Sequence, residues 1–402
     1  MAAPGGSYDC IVVGLGAAGA STAYHLASRG ASVLGLEQFD LNHPFGSSHG
    51  KTRITRTTYS EGLQYVPLVT DTFALWKALE RHTGLSLLRE TGTLMVGPRE
   101  GRLVTGALAS AREFDLPHEL LDSKQVAGRF PVFAPARGDV GLWDPRGATL
   151  FPERCLEAFT RAATERGADL RFGEPVLRWA SDGPEVRVET ARGRYSAPRL
   201  VLAAGSWLRD LVPELSLPLT LERQVVAWFR PTVRDLVQPT RMPAFLWEKS
   251  NSDGYYGVPD FGDGPKIAAN GGQRVDRPEH TPRAVTEADL EPIRRFVRDS
   301  VPGAQGPVAS SVTCIYTNAP DRHFVWGFHP KQNNVLLFSA CSGHGFKFSV
   351  VLGLCAARAV LGEDPGYDLS SFSPARFDRD PTAAGAAPNS YTPGRNARSR
   401  RA

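Results

Sequence analysis

An apolar run, Cys10-Ile11-Val12-Val13, leads directly into Gly14-Leu15-Gly16-Ala17-Ala18-Gly19, and a helix-forming stretch follows. Few patterns constrain a fold so tightly. The first glycine permits the tight turn out of a strand, the second lets backbone approach a pyrophosphate, and the third allows close helix–strand packing. The helix then aims the unpaired amides of its N-terminus at the phosphates. A second strand, Ser32-Val33-Leu34-Gly35-Leu36, ends at Glu37, 18 positions past Gly19, where a carboxylate can hold a ribose hydroxyl. Glycines alone match this pattern often by chance. With strand before, helix after and acid in place, they predict a dinucleotide site in a doubly wound α/β unit rather than a merely structural turn.

The 402 residues suffice for two or three domains. A hydrophobic content of 42% and a charged content of 22% are those of a globular chain, and no apolar run approaches the length that crosses a bilayer. The first seven residues lack the basic start and apolar core of a secretory signal. Five scattered cysteines form neither a disulfide framework nor a zinc pattern, so a reduced, cytoplasmic setting without a metal is expected. The formal net charge of +4 is small, and part of it sits on Arg395, Arg398, Arg400 and Arg401. No basic face is interleaved with aromatics, so neither a nucleic acid nor a membrane is expected as partner. The Ala/Pro/Gly/Asn/Arg composition from about Pro381 cannot bury enough surface to order itself, and 379–402 is expected to be a disordered tail.

Apolar periodicity predicts helices from about Pro67 to Thr83, Pro152 to Gly167, Glu287 to Arg298 and Lys347 to Leu361. Strands are predicted at Glu90–Gly97, Asp169–Phe172, Val186–Thr190, Gln224–Phe229 and Val335–Ala340. Leu200–Ala203 reads as a buried strand that runs into Ala204-Gly205-Ser206-Trp207, a second place where backbone could pass close to a cofactor. The glycine fingerprint opens the chain, yet its matching strand and helix lie near the end. The expected architecture is therefore α/β (α+β), a Rossmann-like cofactor domain built from 1–85, 146–218 and 320–378. A β-rich substrate domain, from 86–145 and 219–319, interrupts it in sequence.

Three further segments carry chemistry. In Ser48-His49-Gly50-Lys51-Thr52-Arg53-Ile54-Thr55-Arg56 the two arginines are three apart; on a helical turn they share a face and could grip a carboxylate or phosphate. A solvated loop is the plainer reading. Alternation in Val312-Thr313-Cys314-Ile315-Tyr316-Thr317 puts Cys314 and Tyr316 on one face, and a buried structural cysteine is the ordinary outcome. In Ser342-Gly343-His344-Gly345-Phe346-Lys347-Phe348, a lysine at the start of an apolar helix opposes the macrodipole unless an anion sits nearby, whereas His344 alone would be a satisfied structural histidine.

Together these segments, in this order, resemble the flavin amine oxidases of the monomeric sarcosine oxidase and N-methyltryptophan oxidase family, within the glycine/D-amino-acid oxidase superfamily. The likeness runs from about Tyr8 to Phe377. It implies an FAD whose binding involves Gly14, Gly16, Gly19, Glu37, Ser48, Thr52, Arg53, Gly343, His344, Gly345 and Lys347. It implies attachment of that FAD through a thioether at Cys314, for which a thiolate with cationic neighbours is needed. His49 and Arg53 match positions beside the flavin ring, and Lys266 matches the lysine credited with activating oxygen; an exposed lysine on a β-edge is its plainer reading. Arg56 and Lys347 match the cations that bind the substrate carboxylate, while Tyr256 and Tyr316 match aromatics lining the pocket. Two positions depart from the pattern. Asn270 stands where sarcosine oxidases carry a histidine near the substrate, and Lys51 replaces a frequent acid.

The expected activity is oxidation of the C–N bond of a secondary or cyclic amino acid by a monomeric enzyme, with oxygen as acceptor and an imine and hydrogen peroxide as products. The Asn270 departure leaves open an imino-acid oxidase of the pipecolate or piperideine-carboxylate type. A flavin dehydrogenase with another electron acceptor also stays open. A nicotinamide enzyme is disfavoured, because nothing resembles a separate nicotinamide half-domain.

Overall fold

The computed structural model describes residues 8–249, 254–339 and 342–379. The N-terminal seven residues, Ala340 and all but the first residue of the expected tail lie outside them.

Cys10–Val13 is buried on both faces, as a continuous apolar run requires, and it is central in a six-stranded sheet. In order the strands are Val325–His329, Gln332–Ser339, Arg199–Leu202, Cys10–Val13, Val33–Leu36 and Asp169–Arg171. All pairs are parallel except that between the first two. Side chains alternate across this sheet. Cys10 and Val12 pack with Val351, Leu352 and Cys355 of the helix Ser349–Val360. Ile11 and Val13 pack instead with Val186, Val188 and Tyr195 of a three-stranded antiparallel sheet, 176–197. The helices Ala17–Ala27, Tyr65–Thr83 and Pro152–Thr164 complete the helical layer.

The second large sheet has nine strands drawn from 93–144 and 220–318. Its long strands Thr220–Phe229 and Val308–Asn318 pair antiparallel, with Gln224 opposite Cys314 and Glu222 opposite Tyr316. Alternation again separates two faces. Ala227 and Phe229 pack on Leu290, Ile293 and Phe296 of the helix Glu287–Ser300, while Val226 and Trp228 turn the other way with Ala268. That second face looks toward the six-stranded sheet across a cavity. Among the described residues no helix is long and apolar enough to cross a membrane.

Three local expectations are corrected. Arg53 and Arg56 do not share a helical turn, because Arg53–Thr55 is a strand paired with Ala148–Leu150. The strand expected at Glu90–Gly97 is two, Leu88–Glu90 and Thr93–Pro98. The break falls at Gly92, whose φ of 64° and close cover by the Trp143 ring exclude any side chain. Lys347 lies not in the helix but in a 3-10 turn, Phe346–Phe348, just ahead of it.

Candidate active site

Between the two sheets lies a cavity of about 910 Å3, at the upper end of the ~300–1,000 Å3 that ligand sites occupy. The glycine turn forms one end. Gly14 has φ of 87°, and a Cβ there would lie 2.7 Å from the carbonyl oxygen of Ala203. A Cβ on Gly19 would come within 1.8 Å of the Gly14 oxygen, so that glycine sets the helix against the strand. Gly16 lines the cavity, and the amide of Ala17, at the helix N-terminus, donates to Ser48 Oγ at 3.2 Å. Glu37 closes this end, its carboxylate accepting from the amides of Leu15 (2.8 Å) and Phe39 (3.1 Å). Burial raises its pKa and those amides oppose the rise.

Of the residues assigned to the site from the sequence, all but Gly19 line this one cavity; Lys51, the second departure from the family pattern, does not. Along its middle, Arg53 is fastened by the carbonyls of Ser47, His49 and Thr52 at 2.6–2.8 Å. The His49 ring is pushed down to a pKa of about 4 by burial and then by the Arg53 cation, so it is neutral at physiological pH. Lys266 is not an exposed edge lysine. It is 2% exposed, and its Nζ donates to the carbonyls of Thr52 (2.6 Å) and Gly50 (3.0 Å). Burial and Arg53 drive its pKa well below the usual lysine value.

Cys314 is buried among the cations expected of it, Arg53, Lys266 and Arg283, yet burial outweighs them and its thiol pKa is raised. In this state it is a thiol rather than the thiolate that attachment needs. Tyr316, two positions along the same face, donates to Tyr256 Oη at 3.1 Å. Burial and the neighbouring Cys314 push its pKa up to about 12. Gly343, with φ of 80°, lets the chain pass the Tyr316 ring; a Cβ there would meet that ring at 2.9 Å. Asn270 lines the wall beside Gly254, where a Cβ would lie 2.5 Å from its amide nitrogen.

At the far end two cations meet. Arg56 is 2% and Lys347 4% exposed. The lysine Nζ donates to the carbonyl of His344 at 2.7 Å and lies 3.4 Å from Tyr59 Oη. Burial and the Arg56 charge depress its pKa to about 7, with Glu61 opposing. His344 is satisfied on both ring nitrogens, by Tyr59 Oη at 2.6 Å and the Arg322 carbonyl at 3.0 Å, while still lining the cavity.

Sequence reasoning missed the acids. The anion that Lys347 calls for is Glu61, whose two oxygens accept from the Arg56 guanidinium at 2.5 and 2.6 Å. Burial alone would raise the Glu61 pKa, but Arg56, His344 and Lys347 hold it at about 2. An acid five places after Arg56 was the available signal. Asp144, fully buried, accepts from the amides of Thr57 (2.6 Å) and Thr58 (2.9 Å) and so clamps the backbone just past Arg56. Glu153 accepts from the amides of Gly50 and Lys51. Neither contact leaves a local sequence trace.

The site suits a dinucleotide with a polar ring system. The glycine cradle cannot be filled by side chains, and His49 Nε2, Thr52 Oγ1 and Arg56 Nε are buried on the cavity wall with no hydrogen-bond partner. Among the described residues no cluster could hold a metal ion.

The chain matches the FAD dependent oxidoreductase family over residues 9–359. It is 39% identical over 383 residues to the monomeric sarcosine oxidase of Streptomyces avermitilis, covering 93% of this chain and 99% of that one. It is 35% identical over 374 residues to the N-methyl-L-tryptophan oxidase of Salmonella typhi, covering 92% and 100%. NikD, an unusual amino acid oxidase essential for nikkomycin biosynthesis, superposes in its open form with a TM-score of 0.81 at 27% identity, covering 92% of this chain and 97% of that one.

Proposed function

The chain belongs to the FAD dependent oxidoreductase family, and on that footing we propose that it oxidises the C–N bond of a secondary or cyclic amino acid. The observation that carries this reading is the pair of buried cations, Arg56 and Lys347, lining the same cavity as the glycine turn. Both cations lie over the ring of Tyr59, Arg56 at 4.5 Å and Lys347 at 5.4 Å from its centre, and two desolvated cations beside one cavity are what a carboxylate needs to be held away from water. In the proposed complex the substrate carboxylate takes the place of Glu61 on Arg56 and adds a contact to Lys347. Tyr256 and Tyr316 wall the pocket and keep water from the amine.

FAD, when bound, supplies the two-electron acceptor. In this reading Gly14, Gly16 and Glu37 hold its adenosine end, Ser48 and Thr52 its middle, and Arg53, His49 and Cys314 its ring, with Cys314 as the point of covalent attachment. Lys266 is the fixed cation that assists the reduction of oxygen to hydrogen peroxide. The segments 1–85, 146–218 and 320–378 form the FAD-binding domain, and 86–145 with 219–319 the substrate domain. The reading has the chain act as a monomer in the cytoplasm.

The amine must be neutral to be oxidised, so the rate of oxidation rises with pH through the pKa of the bound amine. The imine then leaves and hydrolyses. Asn270, a shorter side chain than histidine in a wall relieved by Gly254, favours a second reading in which the preferred substrate is a ring imino acid.

A peroxide-coupled screen of sarcosine, N-methyl-tryptophan, proline and pipecolate tests the function, and no peroxide from any of them refutes it. For attachment, acid-precipitated protein should stay yellow and Cys314→Ala should release its colour into the supernatant. Colour stripped by acid from the wild type refutes the covalent link.

A further inference from the structure

Lys266 is a buried lysine whose hydrogen-bond acceptors are two backbone carbonyls, those of Gly50 and Thr52. These carbonyls flank an uncommon turn. Gly50 has φ of 98° and Lys51 has φ of 66°, so two consecutive residues are left-handed and the second carries a side chain. A side-chain-bearing residue is strained in that region, and such a conformation persists only where its surroundings enforce it.

Glu153 does the enforcing. Its Oε1 accepts from the amide of Gly50 at 2.8 Å and from that of Lys51 at 2.9 Å. It sits in the first turn of the helix Pro152–Thr164, where the macrodipole favours a carboxylate and Pro152 presets the backbone. The strand just before it, Ala148–Leu150, pairs with Arg53–Thr55 just after the turn, so the acid is delivered to the turn by sheet register. The Lys51 side chain completes the hold. Its Nζ meets Asp263 at 2.5 Å and lies 5.4 Å from the centre of the Trp228 ring, whose centre is 5.9 Å from Lys266 Nζ. The amides of the turn thus face Glu153 while its carbonyls face Lys266. Glu153 itself does not line the cavity.

We propose that Glu153 is a positioning residue for Lys266: by accepting the amides of Gly50 and Lys51 it fixes the left-handed turn whose carbonyls hold the ammonium at the cavity wall. The proposal rests on the reading of Lys266 as the cation that assists oxygen, and its test separates the two.

The test uses the full-length, flavin-loaded chain with Glu153→Ala, Glu153→Gln, Lys266→Met and the double variant Glu153→Ala/Lys266→Met. In Glu153→Ala, hydrogen exchange of the peptide spanning 47–53 should accelerate, and acetylation of Lys266 by acetic anhydride, read by peptide mass spectrometry, should rise several-fold. Glu153→Gln keeps an acceptor oxygen and should restore most of both. Reoxidation of the reduced flavin by oxygen should slow about 10-fold in Glu153→Ala, with anaerobic reduction by substrate within about 2-fold of wild type. The double variant should reoxidise no more slowly than Lys266→Met alone. Unchanged exchange and labelling in Glu153→Ala overturn the proposal, as does equal slowing of both half-reactions. Wild-type reoxidation in Lys266→Met overturns the reading of Lys266 instead, and exchange and labelling still report whether Glu153 holds it.

Discussion

Replacing Lys347 by methionine should make the protein more stable at neutral pH while removing half of its proposed carboxylate site. The magnitude follows from the burial of that ammonium. An ordinary lysine gives up its proton near 10.5, whereas Lys347 does so at about 7. That gap corresponds to about 4–5 kcal/mol of preference for the neutral form in the folded chain. Methionine fills similar space without charge, but it forfeits the hydrogen bond to the His344 carbonyl, worth about 1 kcal/mol. A net gain of about 3 kcal/mol at or below pH 7 is expected.

The sign with pH is fixed by the direction of the shift. The folded lysine binds its proton more weakly than the unfolded one, so between pH 7 and 10.5 unfolding takes up a proton and wild-type stability rises with pH. Below 7 the penalty is complete. Thermal melting of the flavin-loaded proteins should therefore show Lys347→Met several degrees above wild type near pH 6.5, with the two curves converging toward pH 10. A variant that melts lower than wild type near pH 6.5, or an offset that ignores pH, refutes the argument. It would mean that Lys347 is compensated by its neighbours rather than strained.

Two further perturbations follow. Glu61→Gln weakens the internal hold on Arg56, so an unreactive carboxylate such as acetate, followed by its effect on flavin absorbance, should bind about 10-fold tighter near pH 6.5. The gain should fade as pH rises through 7, because loss of the Glu61 charge further lowers the pKa of Lys347; unchanged or weaker binding near pH 6.5 contradicts the assigned competition. Gly14→Ala forces a Cβ to 2.7 Å from the Ala203 carbonyl oxygen at a left-handed position. It should cost about 3 kcal/mol or more, read as lower melting temperature and lost flavin content, and wild-type values for both would refute the steric account.

What was legible in the sequence is what is encoded locally. The glycine turn and the apolar strand at 10–13 carry their reasons within about 30 residues, and the fold has the strand before the turn, the helix after it and the second strand running into Glu37. The pairing of Arg53 with Arg56 was misread because a strand more than 90 positions away, Ala148–Leu150, recruits Arg53–Thr55 into a sheet and tertiary pairing overrides local spacing. Asp144 and Glu153 were invisible for a related reason, since their partners are backbone amides 87 and 103 positions distant. At Cys314 the resemblance called for cationic neighbours without naming them or the balance: burial wins over Arg53, Lys266 and Arg283, and only packing decides that.

The central claim, that Arg56 and Lys347 present a carboxylate-bearing amine for oxidation, is tested most directly by anaerobic mixing of the flavin-loaded chain with matched substrates. Each secondary or cyclic amino acid should be paired with the same amine lacking its carboxylate, and flavin absorbance followed in time. The account predicts saturable bleaching by at least one of the acids, with the decarboxylated partner at least about 100-fold slower, the loss of two charge-assisted contacts. Equal bleaching by acid and amine, or none by any of the acids, would contradict it.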